Sequence, residues 1–429
     1  GSPIHDRYNN FRAYYNAYYN ASRVMEEGER QLDRPDQALD RTRLVSIFPE
    51  GTGGRGAQFT EAIEKSSELL RARADSKWAD DALFIIGKAY FYQENVVGAE
   101  QKFRETIQVA EARGNERLAD EARLWLGRTL GLAQRYEEGA TVLQERLAQA
   151  AGNRRDQARL RLVLGELFAR AGRYDEAVTA LRAGIPDERD PDTAARALIL
   201  LGQVEEERGQ FDAAGESYRD AGLRNPAYEL AYAAELSRAL VLGLDAPGRT
   251  NDGLEIIRRM RRDDKNYQHR AEVELAYGRI LANAGQEQEA LQAMRSVVYD
   301  PQLQGGPLRG ETHTRLAEFY RDVRGDFVRA SAHLDTAATA LRQPAGTEQN
   351  LTRAALVGIP RTAAAFNAYA QVANRLAEAD SLLELGMLDD EAFAERIRAI
   401  EVQRREIYRE EQRRLAQTRA QQDFAGREG

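Results

Sequence analysis

The sequence contains no cysteine, which excludes disulfides, thiolate metal sites and a cysteine nucleophile. No apolar run reaches the length of a membrane-spanning helix. Histidine is confined to His5, His269, His313 and His333. No two of them stand at i, i+4 and no H-E-x-x-H is present, so the common zinc-hydrolase motif is missing. G-x-S-x-G is missing as well. Lysine occurs only at Lys65, Lys77, Lys88, Lys102 and Lys265, and arginine carries the remaining positive charge. That bias reads as the codon usage of a GC-rich genome. The net charge is −8 with both signs interspersed, leaving no basic face to neutralise a phosphate backbone. These absences remove the usual footholds for catalysis, and no cofactor or nucleic-acid partner is expected.

What is present is a spacing. A glycine preceded by an aliphatic or aromatic residue is followed twelve positions later by a small residue. The pairs are Gly87/Ala99, Gly127/Gly139, Gly165/Ala177, Gly202/Ala214 and Gly278/Ala290. Four positions further on stands Phe103, Leu143, Leu181, Tyr218 or Met294. This is the tetratricopeptide (TPR) pattern, in which small residues let two antiparallel helices approach and a large one fills the gap between hairpins. The expected fold is an all-α TPR solenoid with an aromatic N-terminal helix and a long C-terminal helical extension.

Residues 1–57 read as the aromatic helix and an irregular connector, 58–343 as the solenoid and 344–429 as the extension. Clear repeats fall near 80–110, 120–150, 158–186, 195–226 and 271–298, with degenerate ones near 230–262 and 312–342. Turns such as Gly172-Arg173-Tyr174-Asp175 and Gly209-Gln210-Phe211-Asp212 join glycine at a helix end to an acidic helix start. The first repeats are longer than the usual motif, which predicts extended turns between repeats. After Asp389, Phe393, Ile397, Ile400, Ile407 and Leu415 recur at nearly heptad spacing, the pattern of a helical cap or a partner-binding helix.

The candidate site is the groove. In a TPR hairpin the first helix lines it at positions 2, 5, 9, 12 and 13. With each ladder glycine as position 8, the groove residues are Asp81, Phe84, Lys88, Phe91 and Tyr92, then Leu124 and Arg128. Arg159, Leu162, Glu166 and Arg170 follow, then Arg196, Ile199, Gln203, Glu206 and Glu207. A carboxylate clamp needs Lys and Asn at positions 5 and 9; Phe84 and Lys88 stand there instead, which disfavours a C-terminal carboxylate as ligand. Phe91 and Tyr92 read as binding anchors or as core, the commoner role of such aromatics. The stripe Tyr8, Phe11, Tyr15 and Tyr18 reads the same two ways, as a docking face or as a cap on the first repeat. Gly51-Thr52-Gly53-Gly54-Arg55-Gly56 spells G-x-G-x-x-G, but Pro49 interrupts the approach and no second strand follows; it reads as a connector.

The ends carry a further likeness. Arg7-Tyr8-Asn9-Asn10-Phe11 through Tyr18-Tyr19-Asn20-Ala21, the stretches 62–67 and 78–92, and Ala379-Asp380-Ser381-Leu382-Leu383-Glu384-Leu385 resemble the gliding-motility and type IX secretion TPR lipoproteins (the SprE/PorW family). The resemblance implies a periplasmic scaffold anchored to the outer membrane by a lipid, with proteins of a secretion or motility complex as partners and no catalytic residues. A scaffold of outer-membrane protein assembly is the alternative. Gly1-Ser2-Pro3 reads as the scar of a cleaved tag, so the lipid-bearing cysteine would precede the residues given.

Overall fold

The computed structural model describes residues 18–32, 39–41, 43–48, 56–72, 76–149, 154–299 and 307–341, with parts of 368–409. Among the described residues every regular element is helical. The chain divides into two compact units, 1–303 and 304–429.

In the first unit, α1 (Tyr19–Leu32) and α2 (Ala57–Ala72) precede a stack of hairpins. The hairpins are α3 (Ala79–Tyr92) with α4 (Val96–Ala112), α5 (Glu116–Leu132) with α6 (Tyr136–Ala148), and α7 (Arg154–Arg170) with α8 (Tyr174–Gly184). Then come α9 (Pro191–Glu207) with α10 (Phe211–Leu223), α11 (Tyr228–Leu240) with α12 (Thr250–Arg262), and α13 (Arg270–Asn283) with α14 (Glu287–Val298). Each hairpin packs its two helices together, and successive first helices α3, α5, α7, α9, α11 and α13 touch along one inner face. This is the TPR architecture.

The ladder acts as its spacing predicts. A Cβ on Gly165 would lie 2.6 Å from Leu181, and one on Gly202 would lie 2.6 Å from Tyr218, so each glycine makes room for its own plus-sixteen residue. The small partners Ala99, Ala177, Ala214 and Ala290 are completely buried, as are Phe103, Leu143 and Leu181. At the hairpin turns Gly172 and Gly209 take φ of 74° and 68°, where glycine pays no steric penalty. Gln134 takes the same left-handed place at φ 60° in the glycine-free variant. The Phe168 carbonyl then accepts from the Arg173 amide at 2.8 Å, closing the turn.

One expectation needs correction. The first inter-repeat turn is not extended: only Arg113, Gly114 and Asn115 separate α4 from α5. The extra length instead lies in those two helices, of 17 residues each. Asn115 caps α5 by accepting from the Leu118 amide at 3.4 Å, so a single polar residue suffices to restart the helix. Arginine at the turns links neighbouring hairpins, with Arg135 on Glu100 at 2.6 Å and Arg249 on Asp212 at 2.7 Å. Such exposed pairs set register more than stability.

The second unit holds the hairpin α15 (Pro307–Asp322) and α16 (Phe327–Leu341), which buries Leu316, Tyr320, Ala330 and Leu334. Helical residues 381–386 and 390–402 leave Leu382, Leu383 and Phe393 exposed. Ile407 and Leu415 lie outside the described residues. Among the described residues no helix is long and apolar enough to cross a membrane.

Candidate functional site

The groove begins with aromatics, and they are turned into the core. Phe84, Phe91 and Tyr92 are 7%, 3% and 5% exposed, and Leu124 is also buried. Trp125 gathers them, with its ring centroid 5.2 Å from Phe91 and 5.6 Å from Tyr92. Helices α1 and α2 cover this end. Glu29 of α1 accepts from the Tyr92 hydroxyl at 3.0 Å and pairs with Lys88 at 2.7 Å, while Phe59 of α2 stacks on Tyr92 at 5.0 Å. Burial, then the Glu29 charge, pushes the Tyr92 phenol far up. Asp81, half-buried beside Asp80 and Glu121, is pushed up to about 6 chiefly by burial. At the far end of this face Tyr18 stacks on Trp78 at 4.6 Å, which places it as packing on the first repeat. Tyr8, Phe11 and Tyr15 lie outside the described residues.

The third and fourth repeats differ. Here position 9 carries Glu166 and Gln203, and position 13 of the third carries Arg170. Sequence reasoning treats residues 45–51 as a path to the next helix. The structure lays residues 41 and 43–48 along the groove instead. The Gln203 side-chain amide accepts from the Val45 amide at 2.8 Å and donates to the carbonyls of Arg43 at 2.7 Å and Arg41 at 3.4 Å. Glu166 accepts from the Ile47 amide at 3.1 Å, and Arg170 donates to the Ser46 hydroxyl at 2.6 Å. Val45 and Ile47, two residues apart, are 3% and 1% exposed, so both side chains face inward. Phe48 lies beneath the Arg128 guanidinium, 5.4 Å from its ring, and Arg128 also covers Trp125 at 4.0 Å. Burial lowers the Arg128 pKa, and the charges of Glu166 and Glu29 oppose that shift.

Arg41 anchors the other end of the segment in an acidic pocket. It pairs with Glu272, at position 2 of the hairpin whose ladder glycine is Gly278. Glu272 also accepts from Tyr232 at 2.8 Å, and the Tyr232 ring stacks on His269 at 4.0 Å. Burial alone would raise the Glu272 carboxyl; Arg41, Tyr232 and His269 overcome it and hold it below the usual range. Nearby Glu206 accepts from Tyr218 at 2.5 Å, yet burial pushes it up to about 7. Glu272 and Tyr232 escaped the sequence reading. Counting positions from Gly278 would have found Glu272, whereas no local pattern marks the occupant.

Other groove positions brace the stack. Arg159 donates at 3.1 Å to Glu188, a buried carboxylate that also accepts from the amides of Arg189 and Asp190 in the turn before α9. Arg196 is half-buried on α9. In the second unit His313 and His333, twenty residues apart, bring their Nδ1 atoms to 2.9 Å. Burial, the neighbouring histidine and Arg309 push His313 down to about 4. Among the described residues no group of His, Asp and Glu is arranged to hold a metal ion. Of the glycine loop only Gly56 is described, accepting from Phe59 at the start of α2.

No protein-family model and no curated protein matches the chain. Among solved structures it is similar to a tetratricopeptide repeat protein from Parabacteroides merdae. The identity is 12% over 65% of this chain and 98% of that one, with a TM-score of 0.43. It is similar to the C-terminal part of a TPR repeat-containing protein from Cytophaga hutchinsonii, at 14% identity over 67% and 92%, TM-score 0.39. It is also similar to the apo form of the quorum sensor NprR from B. thuringiensis, at 10% identity over 56% and 71%, TM-score 0.39. None of these likenesses bears on what the groove holds.

Proposed function

We propose that this protein is a non-enzymatic protein-interaction scaffold whose groove grips a polypeptide segment by its main chain. One observation carries the reading: the Gln203 amide brackets a backbone, accepting from one peptide unit and donating to others, as a neighbouring strand would. Main-chain hydrogen bonds supply affinity that depends little on sequence, and pockets for alternate side chains supply selectivity.

The resemblance of the two ends supports a finer proposal. The scaffold would be a lipid-anchored periplasmic component of a type IX secretion or gliding-motility machine at the outer membrane. Pull-down from envelope membranes with wild-type protein and with Gln203→Ala/Glu166→Ala tests both levels. Motor or translocon proteins captured by wild type and lost by the double variant are the expected result. Barrel-assembly proteins in their place would redirect the envelope assignment. Equal capture by both proteins would remove the groove from the reading. A native gene beginning without a lipid-acceptor cysteine would overturn the anchored location.

A further inference from the structure

Residues 41 and 43–48 add no helix to the stack, yet they lie against polar groove side chains, Gln203, Glu166 and Arg170. Their flanks are held separately, since α1 packs on α2 and both pack on α3. The groups that hold the segment keep partners without it: Arg170 pairs with Glu166 at 2.9 Å, and Tyr232 bonds Glu272. Vacating the groove would take the Arg41 counter-ion from Glu272, which keeps the Tyr232 hydroxyl, and would open the seats of Val45, Ile47 and Phe48, so an occupant must bring a cation of its own. A cavity of about 210 Å³ adjoins Phe48, lined by Phe91, Arg128, Val163, Glu166 and Leu167. An aromatic larger than phenylalanine would fit beside that wall.

We propose that residues 41 and 43–48 are an internal stand-in for a segment of another protein, and that partner binding displaces them. The segment specifies the chemistry of the partner: a stretch with an arginine or lysine, aliphatic side chains four and six positions later, and an aromatic at the seventh. The cation meets Glu272 and Glu206, the aliphatics take the Val45 and Ile47 seats, and the aromatic lies under Arg128. Gln203 and Glu166 read its main chain in either case. This rests on the groove reading above and adds the ligand class and its regulation.

The test uses a fluorescein-labelled peptide with the sequence of residues 39–48, followed by anisotropy, on the whole chain. The groove is emptied in cis by Arg41→Ser/Val45→Ser/Ile47→Ser/Phe48→Ser. The emptied variant is expected to bind the peptide at least tenfold more tightly than wild type. Adding Gln203→Ala should weaken it by roughly tenfold, the loss of about one hydrogen-bonded bracket. A peptide with its aliphatic residues shifted by one position should lose binding, because alternate side chains would then face outward. Equal binding by wild type and emptied variant, or no binding by a folded emptied variant, would overturn the stand-in role while leaving capture of other proteins by the scaffold intact. Should the emptied variant unfold, hydrogen exchange in wild type decides. Val45 and Ile47 amides exchanging far faster than amides inside α7 and α9 support displacement; exchange as slow as global unfolding makes the segment permanent structure and overturns it. Wild-type dimers that exchange the segment between copies would name a second copy as occupant, against the partner proposed.

Discussion

The first helices of repeats one and three occupy the same register on the same face and do opposite things. In α3 positions 12 and 13 are Phe91 and Tyr92, both buried, Phe91 against Trp125 and Tyr92 beneath Glu29 of α1 and Phe59 of α2. In α7 the corresponding positions are Ala169 and Arg170, and Arg170 reaches a segment that is not part of the stack. A TPR position is thus a binding position only where no helix of the same chain covers it. Repeat number, more than repeat register, decides which chemistry the groove offers. Arg128 sits at the border, with one guanidinium over core Trp125 and over segment Phe48.

The largest effect that separates the two ends is expected from Phe91→Ala. Removing a buried aromatic should lower unfolding free energy by about 3–5 kcal/mol in urea titration. An unchanged midpoint would return Phe91 to the groove and erase the contrast.

Next in size is pH. Glu206 titrates near 7 in the folded protein against an ordinary value near 4.5, so the folded state holds a proton that the unfolded state has released. Stability is then full below about 4.5 and falls as pH rises through 7, by on the order of 3 kcal/mol. Glu206→Gln should flatten that slope in melting curves from pH 5 to 8; a slope left intact would place its source elsewhere. His313 has the opposite sign. Its folded pKa is depressed to about 4, so the stability it supports is present above about 6.5 and lost as pH falls toward 4. His313→Asn should reduce the acid-side loss of melting temperature between pH 6.5 and 4; an unchanged loss would place its source in another group.

The smallest effect belongs to the polar end. Gln203→Ala should cost only about 1 kcal/mol of global stability, because its lost partners can turn to water. The same change should raise amide exchange at Val45 several-fold. A global loss as large as that of Phe91→Ala would mean that segment and stack fold as one.

Much of this was legible in the sequence because it is local. The Gly165/Ala177/Leu181 ladder and turns such as Gly172-Arg173 encode hairpins within one repeat length, where spacing maps directly onto contact. Position 9 was legible too, and it marks Glu166, Gln203 and Arg128, which the structure brings to one segment. Arg159, at position 2 of the same face, braces the turn at Glu188, a contact that depends on where residues 185–190 run.

By itself, then, the sequence determined the hairpins, their stacking order and the face on which a ligand could lie, since helix periodicity and small-residue spacing act between near neighbours. Only the tertiary structure decided that Phe91 is core and that residues 41 and 43–48 fill the groove. Contacts such as Val45 to Gln203, 158 residues apart, leave no periodic trace in either partner. A backbone held by side-chain amides and carboxylates needs no particular sequence to be held.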